Sequence, residues 1–153
     1  FFDTCGIFVN ASRETITEAI EKCQLDWIQL HGDETPEFCE QFNSFAVRTI
    51  KAIRVKDHQD LKRTEDYFTD AVLLDAFDPE KYGGTGVRFD WNMLGHINKR
   101  VFLAGGITAD NAADAVKVGV WAIDICSGLE SEPGKKDHEK MRKLFRNIEH
   151  LKG

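Results

Sequence analysis

An α/β fold built on a parallel sheet is predicted by three features of the chain. Short, near-continuously apolar runs alternate strictly with amphipathic helical stretches. The connections between them are short, with no linker and no low-complexity segment. Polar or glycine residues close one apolar run after another: His31-Gly32, Asp75, Gly105-Gly106 and Ser127-Gly128. Strands that are apolar throughout are buried on both faces, and alternation with helices places those helices over a parallel sheet. Alternation alone suits either a doubly wound sheet or a (β/α)8 barrel. About six βα units can be counted, two short of the barrel, which usually takes at least ~200 residues.

In order, Cys5 to Val9 is a short β-rich run. Asn10 and Ser12 then open a helix whose buried stripe is Ile16, Ala19, Ile20 and Cys23, at i, i+3, i+4 and i+7. Trp27 to Leu30 is the next strand. Thr35-Pro36 reads as an N-cap followed by proline at the first helical position, with Phe38, Cys39 and Phe42 facing inward. Val47 to Val55 is a strand carrying Lys51, and Asp57 to Phe68 is a polar helix. The strand Ala71 to Leu74 ends on Asp75 and leads into the glycine-rich Gly83-Gly84-Thr85-Gly86. Asp90 opens a helix with Trp91, Leu94 and Ile97. Arg100 to Ala104 is a strand, and Thr108 caps the helix after it. Trp121 to Ile125 is the last strand, Glu130 to Lys136 is a loop around Pro133-Gly134, and Asp137 caps the final helix.

Composition narrows the class. The 153 residues make one ordinary domain with a real core, 42% hydrophobic and 30% charged, as in globular rather than disordered chains. A net charge of -6 argues against a general nucleic-acid binder but not against a local phosphate site, because backbone amides hold anions without net positive charge. Four cysteines at spacings that fit no zinc pattern read as free thiols in a reducing cytoplasm. No run is apolar enough to span a bilayer. The chain opens on Phe1-Phe2 rather than Met, and is expected to begin inside a longer protein.

In a parallel sheet the carboxyl ends of the strands share one edge, so the residues that close the apolar runs converge there. Asp75 is the candidate for chemistry. Gly105, Gly106, Ser127 and Gly128 look like a phosphate cradle, since glycine lets backbone amides approach an anion. His31 either lines the site or bonds a neighbouring carbonyl. Asp33 and Glu34 read as first-turn helix acids. Asp124, inside an apolar strand, needs a partner if buried. Lys51 either faces the pocket, where a Schiff base is open to it, or pairs with an acid.

The ordered set Gly6-Ile7-Phe8-Val9-Asn10, Gln29-Leu30-His31-Gly32-Asp33-Glu34, Leu73-Leu74-Asp75, Gly83 to Gly86, Phe89-Asp90-Trp91, Ala104-Gly105-Gly106, Asp124 to Glu130 and Gly134 to Asp137 closely resembles the phosphoribosylanthranilate isomerase family of tryptophan biosynthesis. The resemblance runs along the whole chain. It implies a (β/α)8 TIM barrel, a single domain over residues 1–153, of which strands three to eight are present. The implied reaction is the Amadori rearrangement of N-(5-phosphoribosyl)anthranilate to the aminodeoxyribulose phosphate, with no metal and no cofactor. The implied general acid is Asp75. The implied substrate contacts are His31, Gly84, Gly105, Gly106, Ser127 and Gly128. The implied setting is cytoplasmic. The partner is a phosphorylated small molecule rather than nucleic acid or membrane, in a monomer or homodimer that can be fused to or assembled with another enzyme of the pathway.

Two elements of the family pattern have no match here: the Lys-x-Cys-Gly segment carrying the general base, and the arginine expected to meet the substrate carboxylate. Cys5-Gly6 does not supply the first. Asp3, not lysine, stands two before Cys5, and Cys5 belongs at the amino end of its strand. Two alternatives follow: a non-catalytic phosphate-binding barrel fragment, or a related barrel enzyme such as indole-glycerol-phosphate synthase, for which Lys51 would be the candidate lysine.

Overall fold

A computed structural model describes residues 2–76, 90–95 and 97–151. The expectations for Gly83 to Gly86, Gly84 included, and for Phe89 lie outside the described residues. Six parallel strands form one sheet in sequence order: β1 (Cys5–Phe8), β2 (Trp27–Leu30), β3 (Arg48–Val55), β4 (Ala71–Ala76), β5 (Arg100–Leu103) and β6 (Ala122–Ile123). Between and after them lie α1 (Arg13–Cys23), α2 (Pro36–Glu40), α3 (His58–Lys62), α4 (Ala112–Lys117) and α5 (His138–Ile148). Among the described residues no helix is long and apolar enough to cross a membrane.

The caps are local chemistry. The Ser12 hydroxyl accepts from Thr15 N–H, the Thr35 hydroxyl from Phe38 N–H, and the Asp137 carboxylate from Glu139 and Lys140 N–H. Each satisfies donors that the first helical turn leaves without partners. Strand alternation then makes two cores. Ile28, Leu30, Ile53, Val55, Val72, Leu74 and Leu103 pack outward on helix residues such as Ile16, Leu61, Ala112 and Leu144. Trp27, Ile50, Ala52, Ala71, Leu73 and Ala104 pack together on the other face.

That second face is concave. Trp121, immediately before β6, has its ring centroid 6.0 Å from that of Trp27 on β2. Four strand spacings in a flat sheet would be about 19 Å. Phe102 fills the space between, 5.9 Å from Trp27 and 5.0 Å from Trp121. The sheet therefore curls around an aromatic plug at its amino end, leaving its carboxyl end open.

Several expected elements take another form. The stretch Asp57 to Phe68 holds only the short α3, then a 3-10 turn at Arg63–Glu65. The Thr64 hydroxyl donates to Leu61 O at 2.7 Å, and Lys99 Nζ donates to the Thr64 and Tyr67 carbonyls, so these groups find partners outside an α-helix. Asp90 opens a 3-10 turn, Trp91–Leu94, that stops at Gly95 with φ +46°. Asn111, not Thr108, occupies the cap position of α4. Cys23 is exposed, so the stripe of α1 ends at Ile20. Asn10 caps no helix: at φ +52° its side-chain oxygen accepts from Asp33 N–H at 2.7 Å. Ladder pairing in the last strand covers Ala122 and Ile123 alone, with flanking bonds from Trp121 and Asp124 N–H. The expected loop at Glu130 to Lys136 is an antiparallel hairpin, β7 (Glu130–Glu132) and β8 (Lys135–Lys136), turning at Gly134 with φ +79°.

Candidate active site

At the open end of the curl lies a cavity of about 330 Å³. Ile7 and Val9 of β1 and its loop form one wall, and Asp124 and Cys126 beyond β6 face them. Gln29 and His31 enter from β2 and Asp75 from β4. The segments Ala104 to Ile107 and Ser127-Gly128 close the side toward the last strands. The structure thus gathers His31, Asp75, Gly105, Gly106, Ser127 and Gly128 into one pocket. A larger cavity of about 760 Å³ opens beside Arg100 and Trp121, but among the described residues no carboxylate, thiol or hydroxyl lines it.

Asp75 sits on β4 opposite Arg54 in the ladder and is only 5% exposed. Its Oδ2 is 3.4 Å from His31 Nε2, close but without hydrogen-bond geometry, so among the described residues His31 Nε2 is buried without a hydrogen-bond partner. The other ring nitrogen, Nδ1, is 2.7 Å from the Gln29 side-chain amide nitrogen. With that amide donating, Nδ1 is the acceptor and the proton resides on Nε2, toward Asp75. His31 therefore faces the pocket rather than a neighbouring carbonyl.

Asp124 falls one residue past β6 and joins the same pocket. Burial pushes its carboxyl above the ordinary aspartate range; His31 draws it down, Asp75 pushes it up, and Lys136 draws it down. A carboxyl in a cleft, perturbed by burial and by specific charged neighbours, is a functional-site candidate. Cys5 starts β1 and does not line the pocket. Cys5 is exposed at the amino end of its strand, away from the edge where the pocket opens.

The side of the pocket toward the last strands is built from backbone. Gly105 and Gly106 both have positive φ, +80° and +66°, which glycine adopts without strain. Asn111 braces them: its amide donates to Gly106 O at 2.9 Å while its oxygen accepts from Thr108 N–H at 2.8 Å. Gly128 is required by contact, since a Cβ there would lie 2.0 Å from Ile107 O. Ser127 begins a 3-10 turn, Ser127–Leu129, ahead of the β7–β8 hairpin. Lys136 reaches back from that hairpin to Cys126 O at 2.8 Å and Glu130 Oε1 at 2.9 Å.

Of the two readings of Lys51, pairing with an acid holds and facing the pocket does not. Asp33 and Glu34 precede the Thr35 cap and are not first-turn helix acids. Lys51 and Glu34 form a buried ion pair, Nζ to Oε2 at 2.8 Å, on the helix side of the sheet. Burial pushes the Glu34 carboxyl up, but hydrogen bonds from Lys51 and from Asn10 N–H outweigh it, so the carboxyl lies below the ordinary glutamate range. Lys51 follows strand alternation: Ile50 and Ala52 face the concave core, so Lys51 between them points outward.

The sequence profile of N-(5'-phosphoribosyl)anthranilate (PRA) isomerase matches residues 2–147. The chain belongs to the PRA isomerase family. It is 42% identical over 154 aligned positions to the enzyme of that name from Trichlorobacter lovleyi, covering 96% of this chain and 72% of that one. The crystal structure of PRA isomerase from Thermus thermophilus superposes with a TM-score of 0.86 at 32% identity, over 99% of this chain and 74% of that one. A PRA isomerase complexed with reduced 1-(o-carboxyphenylamino)-1-deoxyribulose 5-phosphate superposes with a TM-score of 0.80 at 30% identity, over 99% and 73%. Membership of the PRA isomerase family agrees with the motif order along the sequence and with an α/β fold on a curled parallel sheet.

Proposed function

We propose that this PRA isomerase family member rearranges N-(5'-phosphoribosyl)anthranilate to 1-(o-carboxyphenylamino)-1-deoxyribulose 5-phosphate, with Asp75 as general acid. The carrying observation is the placement of a nearly buried carboxyl, Asp75, in the same pocket as the glycine-built Gly105-Gly106 and Ser127-Gly128 wall. In this reading the substrate phosphate rests on the amides of Gly105, Gly106, Ser127 and Gly128, which fixes the sugar with its ring oxygen toward Asp75. Gly84 is proposed to contact the substrate as well.

Asp75 gives its proton to the furanose oxygen as the C1–O bond breaks, leaving a protonated Schiff base at C1. A base then removes the C2 proton, giving an enolamine that tautomerises to the C2 ketone. The acid must be within hydrogen-bond reach of the leaving oxygen, and its water-poor setting strengthens that contact. His31, with its Nε2 proton toward Asp75, stabilises the carboxylate that remains after transfer. The acid step is worth about 10²–10⁴ in rate.

The six strands are proposed to be strands three to eight of a (β/α)8 barrel forming one domain. The curl that sets Ile7 and Asp124 on the same cavity supports this, as does the similarity to structures of which this chain spans about three quarters. Incubation with N-(5'-phosphoribosyl)anthranilate, followed by its fluorescence, tests the activity. Turnover is expected where a general base is present alongside these residues; binding of the reduced product without turnover in that protein would replace the isomerase with a phosphate-binding module.

A further inference from the structure

The charge buried behind His31 is used by no step above. Lys51 and Glu34 have side chains 2% and 3% exposed, yet neither lines the pocket. A buried ion pair is seldom a source of net stability, because desolvating both charges offsets their attraction, and apolar replacement of the pair is often neutral or better. What distinguishes this pair is where its hydrogen bonds go.

Three consecutive peptide units run through His31, and the pair holds each of them. The Leu30–His31 unit gives its carbonyl to Lys51 Nζ at 3.1 Å and its N–H to Phe8 O at 2.7 Å. The His31–Gly32 unit gives its N–H to Glu34 Oε2 at 2.9 Å. The Gly32–Asp33 unit gives its carbonyl to Lys51 Nζ at 2.8 Å and its N–H to the Asn10 side chain at 2.7 Å. Glu34 also accepts from Asn10 N–H at 2.8 Å, tying the loop after β1 to the same carboxylate. Gly32 backs so closely onto Asn10 that a Cβ would sit 2.3 Å from its Oδ1.

We infer that the Lys51–Glu34 pair is a positioning device. It fixes the backbone on both sides of His31, so that Nδ1 meets Gln29 and Nε2 is presented to Asp75. Lys51 and Glu34 are thus positioning residues that act through His31. The kinetic consequence rests on the isomerase reading; the structural one does not.

The test is the double variant Lys51→Met/Glu34→Gln in the full chain, which keeps side-chain volume and removes both charges together. Two readouts are taken: ¹⁵N shifts of the His31 imidazole, and kcat and KM. The expected result is a melting temperature within a few degrees of the parent, His31 shifts moved from one tautomer toward an average of two, and kcat lowered at least tenfold with KM changed less than threefold. An unchanged His31 spectrum in the folded variant would overturn the proposal, and so would an altered spectrum with unchanged kcat. If the parent shows no turnover, the isomerase reading fails and the His31 spectrum alone decides the clamp. Should the double variant not fold, Glu34→Asp, which keeps both charges and draws the carboxylate back from the Gly32 amide, is read the same way, with faster Gly32 amide exchange and a three- to tenfold loss of kcat expected.

Discussion

The two flanks of the pocket are built on opposite principles. On the β2–β3 flank, side chains do the work. Lys51 and Glu34 are buried, mutually paired and hydrogen-bonded to main chain, and they hold His31 against Asp75. On the β5–β6 flank, backbone does the work. Gly105, Gly106 and Gly128 shape a concave wall, and the charges nearby, Lys136 and Glu130, make a more exposed pair. A group that moves protons needs a fixed, water-poor setting, whereas a phosphate needs convergent N–H groups and an opening to enter by. In the proposed reading, one edge of the sheet serves both needs.

One substitution made on each flank breaks the comparison most sharply. Lys51→Met leaves Glu34 buried without its cation and is expected to cost about 3–5 kcal/mol. Chemical denaturation measures it. Lys136→Met removes a cation from the other flank and is expected to move the melting temperature by less than about 2 °C. Equal losses at both positions would erase the distinction.

Gly128→Ala tests the backbone-built flank. The added Cβ meets Ile107 O at 2.0 Å, and such overpacking is expected to cost about 1–3 kcal/mol. Phosphate-ester affinity, measured by calorimetry, is expected to fall with it.

Acid titration gives a smaller contrast. The Glu34 carboxyl is held low in the folded state, so its contribution is complete above the ordinary glutamate value of about 4.3 and is lost as pH falls through the lower folded value. Asp124 has the opposite sign. Its carboxyl is held high, so wild type is favoured below the ordinary aspartate value and loses that advantage as pH rises through the folded value. Asp124→Asn is therefore expected to match wild type in acid and to be the more stable near neutrality, as melting curves across pH would show.

Much of this architecture is legible in the residues. Apolar runs closed by His31, Asp75, Gly105-Gly106 and Ser127-Gly128 place the strands and the edge on which the pocket forms. Ser12, Thr35 and Asp137 announce their helices because a cap is a contact within four residues. The Glu34–Lys51 pair is harder to read, because its partners are 17 positions apart and meet only when β2 and β3 pair. Strand alternation around Lys51, apolar on both sides, was the available signal that it points away from Ile50 and Ala52. Thr108 misplaces the start of α4 because its hydroxyl does accept a nearby N–H, that of Asp110, while the helix itself begins after Asn111. The hairpin at Glu130 to Lys136 carries the turn signal Pro133-Gly134, but its two strands are too short and too charged to show alternation.

The most direct test of the account is the turnover of Asp75→Asn with N-(5'-phosphoribosyl)anthranilate. Asparagine keeps the shape of the buried side chain and removes its acidic proton. The expected kcat is lower by about 10²–10⁴, with affinity for the reduced product nearly unchanged. Turnover at the wild-type rate would contradict it, and the proton would then have to come from another group in the pocket, with Asp124 the first to examine.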